Sequence, residues 1–266
     1  MVFNLRGKLL TSLMENKIAF ITGATSGIGK ACALYLAEEG FAIIACGRRK
    51  ERLVELKALL PENIPYHYLV FDVRDKKAVY AAIDSLPEEW QQIDVLINNA
   101  GNAHGLDFIQ NGSEDDWDAM MDINVKGLLY VSKKIIPGMI AQKQGQIINI
   151  GSTAGKEVYP KGNVYCGSKH AVDAITKGMR LDLNPYGIKV MAINPGLVDT
   201  EFSLVRFKGD EDKAANVYKG FKPLQAEDIA DVVRFAVTRP PHVVLADVIV
   251  LPTAQASTTM LHKENI

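Results

Sequence analysis

Three side chains in the second half of the chain have the types and the spacing needed to move a proton. Tyr165 and Lys169 lie four residues apart in VYCGSKHAV (164–172), and Ser152 lies thirteen residues before the tyrosine. Because residues i and i+4 stack on one face of a helix, the ammonium is expected within one turn of the phenol. A phenol has an ordinary pKa of about 10, and a nearby cation lowers it by favouring the phenolate. The spacing predicts Tyr165 as an acid/base group, with Ser152 holding a substrate oxygen.

Two other interpretations of these residues remain open. One is a half-buried tyrosine beside a lysine whose charged end reaches solvent. The other is a serine hydrolase, because Ser152 has glycine neighbours and His170 follows Lys169. A nucleophile elbow needs Gly-x-Ser-x-Gly, whereas INIGSTAG places Gly151 directly before the serine. The hydrolase interpretation is therefore disfavoured.

The elements that must position these groups alternate along the chain. Short runs rich in isoleucine and valine predict strands at 17–23, 42–47, 66–73, 94–100, 146–152, 189–196 and 247–252. Amphipathic stretches predict helices at 27–39, 49–60, 75–86, 113–141, 163–183 and 226–238. The alternation predicts an α/β fold, a single-domain Rossmann fold whose doubly wound, seven-stranded parallel sheet carries helices on both faces.

No linker long enough to separate two domains interrupts this alternation. Residues 17–266 are predicted to form one dinucleotide-binding and catalytic domain, and residues 1–16 an N-terminal extension. We expect residues 1–13 to be dispensable, since MENKIAF begins at Met14, just before the first strand. The charged stretch 197–224 follows a strand end and is the one long irregular segment, which predicts a substrate loop.

A glycine-rich turn, ITGATSGIGKACALYL, joins the first predicted strand to the first predicted helix. Its spacing permits a tight turn, close approach of the backbone to a pyrophosphate, and close helix–strand packing. The helix N-terminus adds free amides and the positive end of a dipole. A turn that merely needs positive φ would also select glycine, but the strand–turn–helix context favours a dinucleotide site. The predicted contacts here are Gly23, Thr25, Ser26, Gly27, Ile28 and Gly29.

The end of the second predicted strand, ACGRRKERL, bears on which dinucleotide is bound. Gly47 stands where an acid would contact the ribose of NAD, and Arg48 and Arg49 follow it. Two guanidinium groups can bind a 2′-phosphate, so the sequence predicts NADP(H) over NAD(H). The alternative is an ordinary solvated, basic start of a helix, although basic residues there oppose the helix dipole.

Two more strand ends supply candidate cofactor contacts. Asp72 and Val73 end the third predicted strand, and Asp72 is expected either to reach the adenine amino group or to cap the next helix. Asn99, Ala100 and Gly101 end the fourth strand in INNAG. They are predicted to lie along the cofactor or, alternatively, to form a simple turn.

Asn124 lies three residues before Gly127 in the middle of a strongly predicted helix. Both are poor residues for a helix interior. A local break there is predicted to free a carbonyl that holds water behind Lys169 and passes protons to solvent. The alternative is a harmless polar residue on an exposed turn.

From Lys17 onward these motifs together resemble the single-domain branch of the short-chain dehydrogenase/reductase family. The matching segments are TGATSGIG, NNAG, Asn124, Ser152, Tyr165-x-x-x-Lys169 and NPGLVDT. The resemblance implies hydride transfer to or from a nicotinamide, with Tyr165 as acid/base and Ser152 as its partner. It gives Lys169 a contact with the nicotinamide ribose and Asn124 a water relay. It also implies that the nicotinamide carboxamide is lined by Pro195, Gly196, Val198 and Thr200.

Within the family, GRRKERL, SLPEEW, INIGSTAG, GNVY, TEFSLVRFKGD and LPTAQ are similar to NADP-dependent 3-hydroxy-acid dehydrogenases. That subgroup oxidises serine, L-allo-threonine and related acids, so we expect a cation for the substrate carboxylate. Arg206, or Lys208 nearby, is predicted to supply it, with Ser152 and Tyr165 on the substrate hydroxyl. The alternatives are a carbonyl or 3-oxoacyl reductase and a non-enzymatic NADP-binding redox sensor.

Composition and resemblance together limit the partners. Net charge is −1 with both signs interspersed, which gives no electrostatic basis for binding nucleic acid. The three cysteines cannot all pair and, like the five histidines, lack metal-ligand spacing, so we expect no metal and a cytoplasmic location. No apolar run reaches the roughly 18 residues that span a bilayer, so no membrane association is expected. The resemblance implies a small-molecule substrate and a homotetramer formed through helices such as 113–141 and 163–183.

Overall fold

The computed structural model describes residues 16–264, so the predicted extension 1–16, and with it the expectation about residues 1–13, lies outside the described residues except for Asn16. Within these residues seven strands form one parallel sheet in the order β3-β2-β1-β4-β5-β6-β7. The strands are β1 (Ile18–Thr22), β2 (Ala42–Gly47), β3 (Tyr66–Val70), β4 (Ile93–Asn98), β5 (Gly145–Ile150), β6 (Ile188–Pro195) and β7 (Asp247–Val250).

Helices connect the strands and cover the sheet. They are α1 (Gly27–Glu38), α2 (Lys50–Leu59), α3 (Lys76–Asp84), α4 (Glu114–Met121), α5 (Leu128–Gln142), α6 (Asn163–Leu183), α7 (Glu201–Arg206), α8 (Glu211–Tyr218) and α9 (Ala226–Val237). Among residues 16–264, none of the helices combines the length and the apolar character needed to cross a membrane.

Alternate residues along each strand face opposite sides of the sheet, and this divides the core into two layers. Ala19 and Ile21 of β1 pack with α1 and α9 on one face. Ile18 and Phe20 pack with α3 and α5 on the other. The predicted doubly wound parallel sheet with helices on both faces is therefore confirmed.

The carboxyl ends of the parallel strands lie along one edge of the sheet. The chain runs outward from β1 to β3, returns to the centre, and runs outward again from β4 to β7. Connections that leave β1 and β4 therefore diverge, and a crevice opens between them. Ser152 follows β5 at this edge, and the glycine-rich turn follows β1.

The predicted helix 113–141 is interrupted by one widened turn. Residues Asp122–Gly127 form a π-helical turn between α4 and α5. Gly127 lies so close to Val73 that a Cβ there would be 2.7 Å from a methyl carbon of the valine. The local break that the sequence predicted near Asn124 is thus a π-helical turn.

The sequence predicted an irregular segment at 197–224, and this prediction is wrong. The stretch contains two short helices, α7 and α8. Each helix begins at a capping side chain. Thr200 Oγ1 accepts a hydrogen bond from Phe202 N at 3.3 Å, and Asp210 accepts one from Lys213 N at 3.0 Å. Hydrophobic periodicity is hard to detect in helices this short, so the caps define them better than the pattern does.

Candidate active site

A cavity of about 530 Å³ opens at the carboxyl edge of the sheet. Most of the predicted site residues line it: Gly23, Thr25, Ser26, Gly27, Ile28, Arg48, Arg49, Asp72, Val73, Asn99, Ala100, Gly101, Ser152, Tyr165, Lys169, Pro195, Gly196, Val198, Thr200 and Arg206. Gly29, Asn124 and Lys208 are the predicted residues that do not line it. Asn124 is buried beside Gly101, where a Cβ would lie 3.0 Å from Asn124 Oδ1.

The turn between β1 and α1 brings backbone to the cavity surface. Gly23 and Gly27 have φ values of +67° and +51°, which residues other than glycine rarely adopt. A Cβ on Gly23 would lie 2.8 Å from Asn99 Nδ2. One on Gly29 would collide with the same amide and with the Gly23 carbonyl. Gly29 therefore closes α1 onto β1, while Gly23 and Gly27 shape the cavity wall.

The end of β4 is fastened to the end of β1. Thr22 Oγ1 accepts hydrogen bonds from the backbone amides of Asn99 and Ala100, both at 3.0 Å. Asn99 Nδ2 donates to Thr22 O at 2.9 Å and to Gly23 O at 3.2 Å. These bonds join the two strand ends beside the crevice where the dinucleotide is expected, and Thr22 was not among the predicted site residues.

The two arginines after β2 have different surroundings. The Arg48 side chain is 59% exposed, and its Nη1 lies 3.7 Å from Asp72 Oδ2. Arg49 Nη2 instead donates to Thr25 Oγ1 and Ser26 Oγ, both at 2.9 Å. Arg48 is thus open to a phosphate, whereas Arg49 is already bound to the glycine-rich turn.

Asp72 does not cap α3, which was one of its two predicted roles. Asp75 is the N-cap, and its Oδ1 accepts from Lys77 N at 2.9 Å and from Ala78 N at 3.1 Å. Asp72 pairs with Arg74, whose Nη2 lies 2.7 Å from Oδ2. Burial alone would raise the pKa of Asp72, but the hydrogen bonds and charge of Arg74 outweigh it and hold the pKa below its ordinary value. An ionised acceptor therefore faces the cavity here.

Tyr165 lies in the first turn of α6, with its phenol buried beside Ser152. Burial raises the pKa of Tyr165, Tyr159 adds to the rise, and the nearby Ser152 hydroxyl opposes it. The prediction that Lys169 lowers the pKa of this phenol is therefore wrong for the protein by itself. Removing a phenolate from water costs more free energy than its neighbours return.

Lys169 is buried one helical turn further along α6. Its Nζ donates to Ile150 O at 2.9 Å, and a Cβ on Gly101 would lie 3.5 Å from the same atom. Desolvation lowers the pKa of Lys169 to about 8. The ammonium lies between the ends of β4 and β5, and it carries its full charge only below that pH.

Asn124 joins the π turn to the loop that follows β4. Its Oδ1 accepts from Asn102 N and its Nδ2 donates to Asn102 O, both at 2.8 Å. Nδ2 also donates to Ser168 Oγ of α6 at 3.0 Å. The side chain thus holds three segments together next to Lys169, and the water relay that the sequence suggested stays a prediction.

His170 gives no support to the serine hydrolase interpretation. It is exposed on α6, and its Nδ1 lies 2.9 Å from Cys166 O. It is not among the residues that line the cavity beside Ser152. Within residues 16–264 no histidine is therefore placed to activate this serine.

The far end of the cavity contains Arg206 and two aromatic side chains, Tyr159 and Phe202, that the sequence pattern did not single out. Arg206 lines it, with its guanidinium carbon 5.3 Å from the centre of the Tyr165 ring. Arg206 Nη2 donates to Tyr159 OH at 2.7 Å. The ring of Phe202 is 5.7 Å from that of Tyr165. The one feature of the sequence that could have indicated Tyr159 as a site residue is its place in the loop between Ser152 and Tyr165.

Lys208, the alternative candidate for a substrate cation, does not line the cavity. Its Nζ pairs with Asp116 Oδ2 at 2.9 Å, outside the pocket. Arg206 is held in place by the loop after β4, because its Nε donates to Gly105 O at 3.2 Å and its carbonyl accepts from Gly105 N at 3.0 Å. Of the two predicted cations, only Arg206 is placed to contact a ligand.

The segment after β6 lies between the glycine-rich turn and the C-terminal residues. A Cβ on Gly27 would lie 3.2 Å from a methyl carbon of Thr200. Gln255 Oε1 accepts from Leu197 N at 2.9 Å. Gln255 also lines the cavity. The sequence analysis did not predict it as a site residue, because its contact with Leu197 joins residues that are far apart in the chain.

The residues present fit a phosphorylated dinucleotide. Gly23 and Gly27 place no side chain between the cavity and the start of α1, whose first amides no side chain caps, and the exposed Arg48 lies at the same edge. At the other end a buried phenol, a serine hydroxyl and a lysine come together. The cavity can bind a long anionic ligand and exchange a proton at one end of it.

Known proteins resemble this chain over most of its length. A sequence profile of the family described as short chain dehydrogenase matches residues 17–210. The NADP-dependent 3-hydroxy acid dehydrogenase YdfG of Salmonella typhi is 45% identical over 240 residues, which is 90% of this chain and 96% of the relative. Sulfoacetaldehyde reductase 2 of Chromohalobacter salexigens is 42% identical over 240 residues, which is 90% of this chain and 95% of the relative. The closed form of serine dehydrogenase complexed with NADP⁺ superposes with a TM-score of 0.87 at 41% identity, over 93% of this chain and 100% of that one.

Proposed function

The chain belongs to the short-chain dehydrogenase family, and on that premise we propose that it is an NADP-dependent oxidoreductase for 3-hydroxy acids such as serine or L-allo-threonine. The position of Tyr165 carries the proposal. Its phenol is buried at the cavity beside Ser152, and its ring lies 5.3 Å from the Arg206 guanidinium. The activities for which these relatives are named support the cofactor and the substrate class.

The cofactor is proposed to lie along the strand ends from β3 to β6. Gly23, Thr25, Ser26, Gly27, Ile28 and Gly29 form the phosphate turn, Arg48 and Arg49 flank the 2′-phosphate, and Asp72 and Val73 lie at the adenine. Asn99, Ala100 and Gly101 provide the strand edge, Lys169 the contact with the nicotinamide ribose, and Pro195, Gly196, Val198 and Thr200 the carboxamide contacts. When bound, the nicotinamide supplies or accepts the hydride.

The proton passes through the protein's own side chains. Ser152 holds the substrate oxygen, and Tyr165 gives or takes the proton at that oxygen. Because burial raises the pKa of Tyr165, the phenol is protonated at neutral pH and suits carbonyl reduction. Alcohol oxidation needs the phenolate and is therefore favoured at alkaline pH. Lys169 and a water held at Asn124 complete the proposed path to solvent.

Arg206 is proposed to bind the substrate carboxylate, and residues 197–224 to act as the substrate loop. Arg206 Nε and Nη2 are held by Gly105 O and Tyr159 OH, while Nη1 makes no hydrogen bond within residues 16–264. A guanidinium with one open edge binds an oxyanion through charge-assisted hydrogen bonds. In a 3-hydroxy acid one carbon separates the carboxylate from the reacting carbon, which suits a cation this close to Tyr165.

Reduction of a sulfonated aldehyde is the second candidate function. One relative is named sulfoacetaldehyde reductase. In that compound one carbon separates the sulfonate from the carbonyl carbon, as in the 3-hydroxy acids, and the open edge of Arg206 fits either anion.

A substrate screen tests the proposal. NADP reduction is followed at alkaline pH with serine, allo-threonine, 3-hydroxypropionate, 2-hydroxyethanesulfonate and neutral alcohols. We expect kcat/KM for the anionic substrates to exceed that for neutral alcohols of the same length at least about tenfold. Preference for the neutral alcohols would instead favour a carbonyl or 3-oxoacyl reductase. NADP binding without turnover of any compound would favour a redox sensor.

We also propose a homotetramer in the cytoplasm. Met121, Leu129 and Leu181 are exposed apolar side chains on α4, α5 and α6, the helices expected at the interfaces. Cys32, Cys46 and Cys166 are free and buried, which suits a reducing compartment. Light scattering in solution tests the assembly, and a monomeric mass would contradict it.

A further inference from the structure

Glu201 begins α7, and its carboxylate binds two arginines from the opposite side of the cavity. Arg49 Nη1 lies 2.9 Å from Glu201 Oε2, and Arg52 Nη1 donates to Glu201 Oε1. Arg49 and Arg52 follow β2, whereas Glu201 follows β6. Strands β2 and β6 lie on opposite sides of the crevice between β1 and β4. These three side chains, called the Glu201 bridge below, therefore join the two sides of the cavity.

The bridge also contacts the turn at which the dinucleotide phosphates are expected. Arg49 Nη2 donates to Thr25 Oγ1 and Ser26 Oγ, both at 2.9 Å. Thr25, Ser26, Arg49, Thr200 and Glu201 line one cavity. The guanidinium of Arg49 thus connects the phosphate turn to the first residue of α7, and α7 carries Arg206 at its other end.

The charge of Glu201 is stable at physiological pH. Burial alone would raise the pKa of its carboxyl, but hydrogen bonds from Arg52 and Arg49 outweigh that effect and hold the pKa below its ordinary value. Arg48 takes no part in the bridge, and its side chain is 59% exposed. The 2′-phosphate therefore has an arginine available without breaking the bridge.

We propose that Glu201 is a positioning residue that couples the substrate loop to the bound cofactor. Its bridge to Arg49 and Arg52 holds the start of α7 against the phosphate turn, so that the dinucleotide is retained and Arg206 is kept at the substrate end. This inference rests on the proposed NADP site. A carboxylate that only competed with the phosphates for Arg49 would have the opposite effect on cofactor release.

The expected effect is modest because the bridge is partly exposed. The side chains of Arg49, Arg52 and Glu201 are 41%, 40% and 38% exposed. Ion pairs of this kind change an equilibrium by about 1.5- to 5-fold each. Loss of both pairs is therefore expected to change cofactor release by about 2- to 25-fold.

The test compares Glu201→Gln with Glu211→Gln. Glu211 begins α8 in the same stretch and makes no ion pair within residues 16–264, so its variant controls for loss of an acid from this loop. Stopped-flow fluorescence measures NADPH release, calorimetry measures NADP binding, and trypsin probes the loop at Arg206 and Lys208 with and without NADP. Substrate is absent throughout.

We expect Glu201→Gln to release NADPH about 2- to 25-fold faster and to lose the protection of the loop that NADP gives the wild type. Glu211→Gln should match the wild type in both measurements. Added salt should accelerate release from the wild type more than from Glu201→Gln, because the bridge is electrostatic. If Glu201→Gln folds poorly, Arg52→Gln replaces it in the test, because it leaves the pair between Arg49 and Glu201 intact. We expect Arg52→Gln to release NADPH faster than the wild type, but less so than the loss of both pairs would.

Unchanged release from Glu201→Gln would overturn the inference. Slower release would do so as well, and would assign the carboxylate a competing role. Both results leave the proposed function standing. If the wild type itself fails to bind NADPH, the cofactor assignment falls first, so the two failures are distinguishable.

Discussion

The two ends of the cavity are built from different parts of the chain. The wall of the cofactor end is mainly backbone, with Gly23 and Gly27 in left-handed conformations and the strand ends joined through Thr22. The wall of the substrate end is mainly side chains, with Arg206 bound to Tyr159 across two loops. Backbone recognises what all dinucleotides share, whereas a side-chain wall can change one residue at a time. The comparison predicts that the reaction type depends on the first end and the substrate on the second.

Tyr165 lies between the two ends, and its replacement has the largest expected effect. Tyr165→Phe removes the hydroxyl and keeps the ring that packs against Phe202. We expect kcat to fall about 10²- to 10⁴-fold, because general acid–base catalysis is lost. NADPH affinity, measured by calorimetry, should stay near that of the wild type. Activity within threefold of the wild type would rule out proton transfer by this phenol.

Arg206→Ala tests the substrate end alone. Losing a charge-assisted contact should raise KM for carboxylated substrates about 10- to 100-fold, with little change in KM for NADP. Lys208→Ala is the matched control, because Lys208 lies two residues further and pairs with Asp116 outside the cavity. Steady-state kinetics on both variants measures the difference. An equal effect of the two substitutions would remove Arg206 from the substrate site.

Gly29→Ala tests whether the cofactor end depends on backbone packing. A Cβ at Gly29 would collide with Asn99 and with the Gly23 carbonyl, so we expect the free energy of unfolding to fall by about 1–3 kcal/mol. Gly178→Ala in α6 is the control, since no atom lies within 4 Å of its Cβ position. That variant should gain about 0.5–1 kcal/mol from helix propensity. Urea unfolding of both variants decides, and equal stabilities would contradict the packing role.

Lys169, like Tyr165, lies between the two ends of the cavity. Its replacement is expected to have a smaller effect, on the free energy of unfolding. Its pKa in the fold is about 8, below the ordinary 10.5, so between these values the unfolded chain binds more protons. The buried ammonium therefore destabilises the fold below pH 8, and this penalty disappears as the pH rises toward 10.5. We expect Lys169→Met to be more stable by roughly 1–2 kcal/mol at pH 7 and to lose activity. Unfolding at pH 7 and pH 10 measures the change, and a constant difference would contradict it.

The same contrast explains what the sequence could predict. The glycine-rich turn and the pair Tyr165 and Lys169 are local patterns, and the family resemblance built on them is confirmed. Tyr159 meets Arg206 across 47 residues and Gln255 meets Leu197 across 58, so no local pattern marks them.

The pKa of Tyr165 escaped prediction for a physical reason. Spacing places a cation one helical turn from the phenol, but burial determines which protonation state is favoured. The helices α7 and α8 were missed because Thr200 and Asp210 define them by capping. Where a property depends on how much water the fold excludes, the order of residues along the chain does not reveal it.

The π turn at Asp122–Gly127 sets the rotational phase of the longest helical segment before β5. Each residue of an α-helix advances the helix by about 100°, so one additional residue offsets the two flanking faces by about that angle. Met120 can then pack in the cluster that contains Tyr165, while Val131 and Ile135 face the sheet. Deleting a single residue here would give a more regular helix and would turn one of these faces away from its neighbours, so the number of residues in this turn is constrained even where their identities are not.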